Sequence, residues 1–368
     1  MREIQYKTFS LRTHKKNWQI KRANACQFEL TFRCGLHCRH CYSGCYNKEK
    51  YIKRELTTAQ VKLVIDKIYN SGAIWLSFTG GDPLTKPDFL DIYSYAKDKG
   101  FLITIFTNAY SMSKRIANYL KKRPPFVIEI TLNAISKKLY EFISQIKGSY
   151  DKTTEGLDLI LERKLPLKIK TQMTKDNLKE LPKIKKFIEN LGLNFRPSAL
   201  LHARLDGDLF PCSLRIRPEE AIRLDRRVDL DSIKGECRST DNQSNEQNGL
   251  NEHNGNNRLN VLNKRNNHLF RCVIGGGDGI HIDPYGNIIP CNCIREPKMN
   301  LLKESIEEAR GNILDWVRGR KVNADSKCKN CSIKDLCHNC PGMALLETGN
   351  LEGQSEWYCE LAHLIRRE

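Results

Sequence analysis

Between residue 26 and about residue 200, six short apolar runs rich in β-formers alternate with segments of helical period, which narrows the fold more than any other feature. The runs are 26–32 (CQFELTF), 73–78 (AIWLSF), 101–107 (FLITIFT), 126–132 (FVIEITL), 167–173 (LKIKTQM) and 193–198 (LNFRPS). Such alternation marks βα units, whose strands run parallel because each crossover returns the chain to the same end of the sheet. In TTAQVKLVIDKIYN the apolar Val61, Val64, Ile65 and Ile68 recur at helical spacing, and KPDFLDIYSYAKDKG ends on Gly100, a C-cap glycine. The pattern predicts an α/β fold, either a partial (βα)6 barrel or an open doubly wound sheet. In both, ligands gather at the C-terminal ends of strands.

No stretch of the 368 residues approaches the roughly 18 to 20 apolar positions that span a bilayer, and MREIQYKTFSLRTHKK lacks the apolar run of a secretory signal. A cytoplasmic protein without membrane contact is expected. Fifteen cysteines in a reducing compartment read as metal ligation or catalysis before disulfides. The formal charge of +18 is spread through lysine-rich helices such as KELPKIKKFIEN. It forms no basic stripe with interleaved aromatics, which argues against nucleic acid and leaves a solvated surface or a docking face for an acidic peptide or redox partner.

Residues 34–41, CGLHCRHC, follow the first predicted strand at its C-terminal end. Cys34, Cys38 and Cys41 have the spacing C-x3-C-x2-C, which lets one loop offer three thiolates to a single centre. His37 or His40 could supply a fourth ligand, so a zinc site stays open on spacing alone. The second strand ends in TGGDPL, residues 79–84, where Gly80 and Gly81 could also serve a tight βα turn.

The octet, followed by Tyr42, resembles the cluster loop of the radical S-adenosylmethionine (radical SAM) enzymes, and TGGDPL stands at the distance of that family's glycine-rich cofactor loop. The resemblance implies a partial (βα)6 TIM-like barrel over residues 26–210, preceded by an N-terminal extension, 1–25. It implies a [4Fe–4S] cluster on Cys34, Cys38 and Cys41 that binds S-adenosylmethionine, with His40 and Tyr42 beside the cofactor. Gly80 and Gly81 would let the backbone approach the methionine amino group, with Asp82 and Pro83 in the same loop. Asp82 stands where relatives more often carry glutamate. Thr107 and Asn108 at the third strand end, and Thr131 and Asn133 at the fourth, fall near the ribose positions of relatives. A flavodoxin- or ferredoxin-type electron donor is also implied. No catalytic acid or base can be named.

Residues 238–268 hold eleven asparagines and almost no aromatic or β-branched residues, and read as a disordered insertion within a connecting region, 211–269. Beyond it, 270–368 carries eight cysteines and opens with GIHIDPYGNIIPCN, a β-hairpin pattern. The spacing Cys272-x13-Gly286-x4-Cys291, then Cys328-x2-Cys331-x5-Cys337-x2-Cys340, then Cys359, resembles the SPASM extension, which binds two auxiliary iron–sulfur clusters. Without the family, the two C-x2-C pairs could equally make a zinc site. The resemblance assigns Cys328, Cys331, Cys337 and Cys359 to one cluster and Cys272, Cys291 and Cys340 to the other. The further cysteine that relatives carry before Cys272 is missing, so either one iron stays open or Cys293 fills the place. Cys26 reads as a buried hydrophobe, and Cys45, Cys212 and Cys237 as bystanders.

About 340 residues share the resemblance, and the stretch from FVIEITLNAI to FRPSALLHARLDGDL looks like peptide maturases related to the pyrroloquinoline quinone maturase. Modification of a ribosomally made precursor peptide is the first expectation. Haem or other tetrapyrrole side-chain chemistry is second, since HCRHCYS also looks like that branch, and sulfatase maturation third. A non-catalytic zinc or iron–sulfur module that binds nucleic acid is the alternative from another class. The segment before residue 26 is too short for a separate peptide-recognition domain, so a leader would dock on the barrel, the C-terminal block or a partner.

Overall fold

The computed structural model describes residues 5–19, 22–225, 268–272, 279–334, 336–337 and 339–367. Cys237 and the Asn-rich stretch up to residue 267 lie outside the described residues.

All six predicted strands are present: β1 (Ala25–Thr31), β2 (Trp75–Gly80), β3 (Leu102–Thr107), β4 (Val127–Thr131), β5 (Leu167–Gln172) and β6 (Arg196–Ser198). They pair parallel in sequence order, and the sheet stays open, a partial barrel. Alternation explains which side chains go where. Cys26, Phe28 and Leu30 of β1, Leu76 and Phe78 of β2, Ile103 and Ile105 of β3 and Ile128 and Ile130 of β4 join the hydrophobic core. In helix Thr58–Asn70 the four predicted apolar positions are all buried in that core. Gly100 closes helix Phe89–Asp98 with φ +88.

The opposite strand face is polar. Glu29 of β1 pairs with Arg295 at 2.6 and 3.0 Å, and Glu129 of β4 pairs with Lys170 of β5 at 3.1 Å and Arg196 of β6 at 3.5 Å. Closed TIM barrels fill this space with branched apolar chains. A concave face lined with charge suits an open barrel that receives a polar ligand.

The predicted hairpin forms as β7 (Gly279–Ile282) and β8 (Asn287–Ile289), and it does not stand apart from the barrel. β7 pairs parallel with β1, Cys26 opposite Ile280, while β8 and β9 (Met299–Asn300) follow antiparallel. The result is one nine-stranded sheet in the order β6-β5-β4-β3-β2-β1-β7-β8-β9. The reason is edge pairing: β1 presents unpaired backbone groups on the side away from β2, and β7 satisfies them.

Two further contacts complete the frame. Helix Tyr6–Gln19 in the N-terminal segment packs Tyr6 on Phe126 at 4.9 Å, and Trp75 donates to the Tyr6 hydroxyl at 3.1 Å, at the N-terminal ends of the strands. Arg215 is buried against Glu347, donates to Leu201 O at 3.0 and 2.6 Å, and lies over the Tyr358 ring at 4.9 Å. That buried ion pair joins the segment after β6 to the C-terminal helices.

Candidate functional site

The octet leaves β1 at a register irregularity between Glu29 and Thr31. Glu55 holds this point: its carboxylate accepts from Thr31 Oγ1 at 2.9 and 2.8 Å and from Phe32 N at 2.7 Å. Cys34 is then fixed by Asn47, which accepts from Cys34 N at 3.3 Å and donates to Cys34 O at 2.9 Å. Further along, His37 N and Arg39 N donate to Ser144 O and Ile143 O at 2.9 and 3.0 Å. From the other side Arg204 donates to Arg39 O at 3.2 Å and to Cys41 O at 3.3 Å, and Leu205 N donates to Tyr42 O at 2.9 Å. A loop of eight residues without regular structure is thus held through its own backbone by three distant segments. None of Glu55, Asn47 and Arg204 carries a sequence signal, since each acts through a backbone group brought near only by folding.

Cys34, Cys38 and Cys41 lie close enough for their charges to interact. Burial, then Asp82, pushes the Cys34 thiol up to about 12, and burial, then Cys41 and Cys34, pushes Cys38 up. Such crowding costs energy for three thiolates and is relieved by a multivalent cation. Asn108 Nδ2 and Leu36 N point at Cys34 Sγ at 3.4 and 3.5 Å, donors that stabilise a ligated sulfur.

The glycine loop is also demanded by the protein's own backbone, beside the expected approach of a ligand to Gly80 and Gly81. A Cβ on Gly80, at φ +129, would lie 2.0 Å from Thr31 O, and one on Gly81 would lie 2.2 Å from Arg33 O. Gly81 N donates to Thr31 O and Asp82 N to Arg33 O, both at 2.7 Å. The two loops are stitched together, so cluster loop and cofactor loop move as one.

Asp82 is fully buried, and its carboxylate accepts from Leu84 N at 3.0 Å, Thr107 Oγ1 at 3.0 and 2.8 Å and Asn108 N at 3.0 Å. The shorter aspartate therefore ties the end of β2 to the end of β3, while Pro83 opens the 3-10 turn Pro83–Thr85 behind it. Burial outweighs these donors and raises its carboxyl to about 6. Because the folded state holds this proton more tightly than the unfolded chain, Asp82 contributes stability that is present near pH 4 and lost as pH rises through about 6. In the metal-free protein, the parent should gain about 1 kcal/mol more between about pH 7 and pH 5 than Asp82→Asn does. Urea midpoints at the two pH values measure the difference; equal gains would contradict it.

Among the other predicted positions, Asn133 Nδ2 lies 3.2 Å from His40 Nε2, and its Oδ1 accepts from Gln172 N at 2.8 Å, which sets the amide's orientation. His40 Nε2 is then the acceptor and Nδ1 carries the proton. That Nδ1 is buried with no hydrogen-bond partner among the described residues, and burial lowers the ring to about 4, so it stays neutral. An orphaned buried donor beside the cluster loop suits a ligand acceptor. Thr107 and Asn108 converge on Asp82 and Cys34 as described, whereas Thr131 is half-buried at the end of β4, opposite Lys170. Tyr42 stacks obliquely on His202 at 5.1 Å between ring centroids; burial, then Glu29, raises its phenol, with Cys293 and Cys41 both near it.

The C-terminal cysteines fall into two groups. Burial, then Cys272 and Cys291, pushes Cys340 up to about 12, and Cys293 at the head of its neighbours, followed by burial and Cys272, raises Cys291. Cys272, Cys291, Cys293 and Cys340 thus lie together. Cys337 is raised by burial with Cys328 and Cys359 beside it, and Cys359 by burial with Cys331 and Cys328 beside it. A zinc site on the two C-x2-C pairs would need Cys340 with Cys328, Cys331 and Cys337, and the fold turns it toward Cys272 and Cys291 instead. Among the described residues, no three His, Cys, Asp or Glu side chains converge on a single ion. A cluster spreads its thiolates over several irons and does not require such convergence. Cys26 is buried in β1, Cys45 reaches Tyr42 O at 3.9 Å, and Cys212 lies beside Arg215.

Residues 28–188 match the model of the Radical SAM superfamily. Residues 28–188 are thus a radical SAM domain, the domain of a class that binds a [4Fe–4S] cluster and S-adenosylmethionine. The chain is 23% identical over 90% of its length, and 95% of the relative's, to an AdoMet-dependent heme synthase of Methanosarcina barkeri. It is 26% identical over 42% of its length to a PqqA peptide cyclase of Bradyrhizobium diazoefficiens, and covers 40% of that relative. The fold superimposes on Streptococcus suis SuiB bound to the precursor peptide SuiA with a TM-score of 0.65 and 16% identity, over 98% of this chain and 82% of that one. Among the described residues, no helix is long and apolar enough to cross a membrane.

Proposed function

We propose that Cys34, Cys38 and Cys41 hold the cluster that engages S-adenosylmethionine, with His40, Tyr42, Asn108, Thr131 and Asn133 around the cofactor. Gly80, Gly81, Asp82, Pro83 and Thr107 keep that wall in place. When bound, cluster and cofactor supply a 5′-deoxyadenosyl radical for hydrogen abstraction. The chain's own part is to position the cofactor, hold His40 neutral with its Nδ1 proton available, and present the polar barrel face to substrate. The C-terminal residues form a SPASM extension in this reading: Cys328, Cys331, Cys337 and Cys359 hold one auxiliary cluster, and Cys272, Cys291 and Cys340 the other. The enzyme works in the cytoplasm with a flavodoxin- or ferredoxin-type donor.

The substrate we favour is a ribosomally made precursor peptide. The observation that carries this reading is Tyr42, which follows Cys41 in the cluster loop and packs on His202, whose Nε2 lies 3.6 Å from Cys293 Sγ. A substrate held there lies between an oxidising radical and an electron acceptor, as forming a crosslink, thioether or double bond requires. Likeness to SuiB over nearly the whole chain supports a peptide in that place. A second reading, a tetrapyrrole substrate, is favoured by the near full-length match to a haem synthase and by Lys170 and Arg196 sharing one carboxylate, Glu129, which leaves positive charge for propionates.

Anaerobic enzyme with S-adenosylmethionine and reductant separates the two. Offered a genome-adjacent short peptide or an iron coproporphyrin, it should remove hydrogen from the peptide, seen by mass spectrometry, and leave the porphyrin unchanged. Turnover of the porphyrin alone would replace the peptide reading with the tetrapyrrole one.

A further inference from the structure

Cys272, Cys291 and Cys340 are one thiolate short of the four that close an iron–sulfur cluster. Cys291 and Cys293 sit in a tight turn: Ile294 N donates to Cys291 O at 3.1 Å, and residues 291 and 294 bridge across it. This turn brings the two thiols within hydrogen-bonding reach of each other. Gly342 lies against both. A Cβ there would stand 2.9 Å from Cys293 Cβ and 3.4 Å from Cys291 Sγ, so the glycine keeps space beside the pair that a side chain would take. Cys340 is the N-cap of the helix that carries Gly342, Pro341–Thr348. Beyond Cys293, His202 places Nε2 3.6 Å from its Sγ and Nδ1 2.9 Å from Ala203 O.

Resting on the assignment of an auxiliary cluster to this group, we propose that Cys293 is its fourth thiolate. The Nδ1 contact to a carbonyl makes that nitrogen the donor and leaves Nε2 to accept from the Cys293 thiol while the cluster is absent. The cluster is then closed by protein alone, and no iron is left for a substrate atom. His202 also touches Tyr42, so the closed cluster is linked through one ring to the substrate side.

The test uses full-length Cys34→Ala, Cys38→Ala, Cys41→Ala protein, reconstituted anaerobically, in which the auxiliary clusters are the iron present. Its reduced EPR spectrum should be unmoved by cyanide. Adding Cys293→Ala, or Cys293→Ser should the alanine variant fold poorly, should give a new spectrum that cyanide shifts. A cyanide shift before Cys293 is changed, or an unchanged spectrum after, overturns the proposal. Absence of iron from the triple variant overturns the auxiliary-cluster reading itself, a different and recognisable outcome.

Discussion

With Cys34, Cys38 and Cys41 all replaced by alanine, S-adenosylmethionine cleavage by the reduced enzyme should fall to the uncatalysed background. The three thiols crowd one loop, and burial and mutual repulsion hold Cys34 and Cys38 protonated until a cation arrives. Among the described residues, Cys45 turns back to Tyr42 O, and Cys26 is sealed in β1. The fold should survive, because the loop is held by Glu55, Asn47 and Arg204 through backbone groups that the substitutions leave intact. Production of 5′-deoxyadenosine, with circular dichroism as the control for folding, measures this, and a variant that still cleaves at the parent rate would remove the basis of the site. Asn108→Ala should act more mildly. Losing the donor to Cys34 Sγ should weaken cluster retention by about 10- to 100-fold, read as iron lost to a chelator over time.

The second large effect is expected from Gly80→Ala. The new Cβ would meet Thr31 O at 2.0 Å, an overlap with backbone that no rotamer can relieve, and φ +129 is itself strained for alanine. Relief requires the β2 end and the start of the cluster loop to separate, which breaks the Gly81–Thr31 and Asp82–Arg33 hydrogen bonds. A destabilisation above about 4 kcal/mol is expected, together with poor cluster loading. Gly100→Ala is the control: φ is +88, but nothing lies within 4 Å of the added carbon, so only about 1–2 kcal/mol of left-handed strain applies. Denaturant unfolding and iron content of the two variants should differ accordingly, and equal behaviour would show that the stitched loops tolerate separation.

The contrast between these glycines shows how far residue pattern reaches. Gly100 was legible as a helix terminator because its role is local: the helix ends, φ turns positive, and the chain continues. Gly80 and Gly81 were legible as special, but their packing was not, because the atoms they accommodate belong to Thr31 at the end of β1 and to Phe32 and Arg33 beyond it. Asp82 is similar. Its position between a glycine pair and a proline marked it, yet its four contacts to Leu84, Thr107 and Asn108 depend on β2 and β3 lying side by side.

Strand and helix order, and the trio Cys34, Cys38 and Cys41, follow from short-range properties: alternation of two, period of 3.6, and spacing within a loop. These survive in one dimension because neighbouring residues share an element. Which distant groups meet is another matter. Pairing of β7 with β1, the turn of Cys340 toward Cys272 instead of Cys328, the Glu29–Arg295 pair across the barrel face and the contact of His202 with Cys293 all join residues tens to hundreds of positions apart. Their energies depend on through-space distance, and only the closed tertiary arrangement, in which edge strands are satisfied and buried charges find partners, decides them.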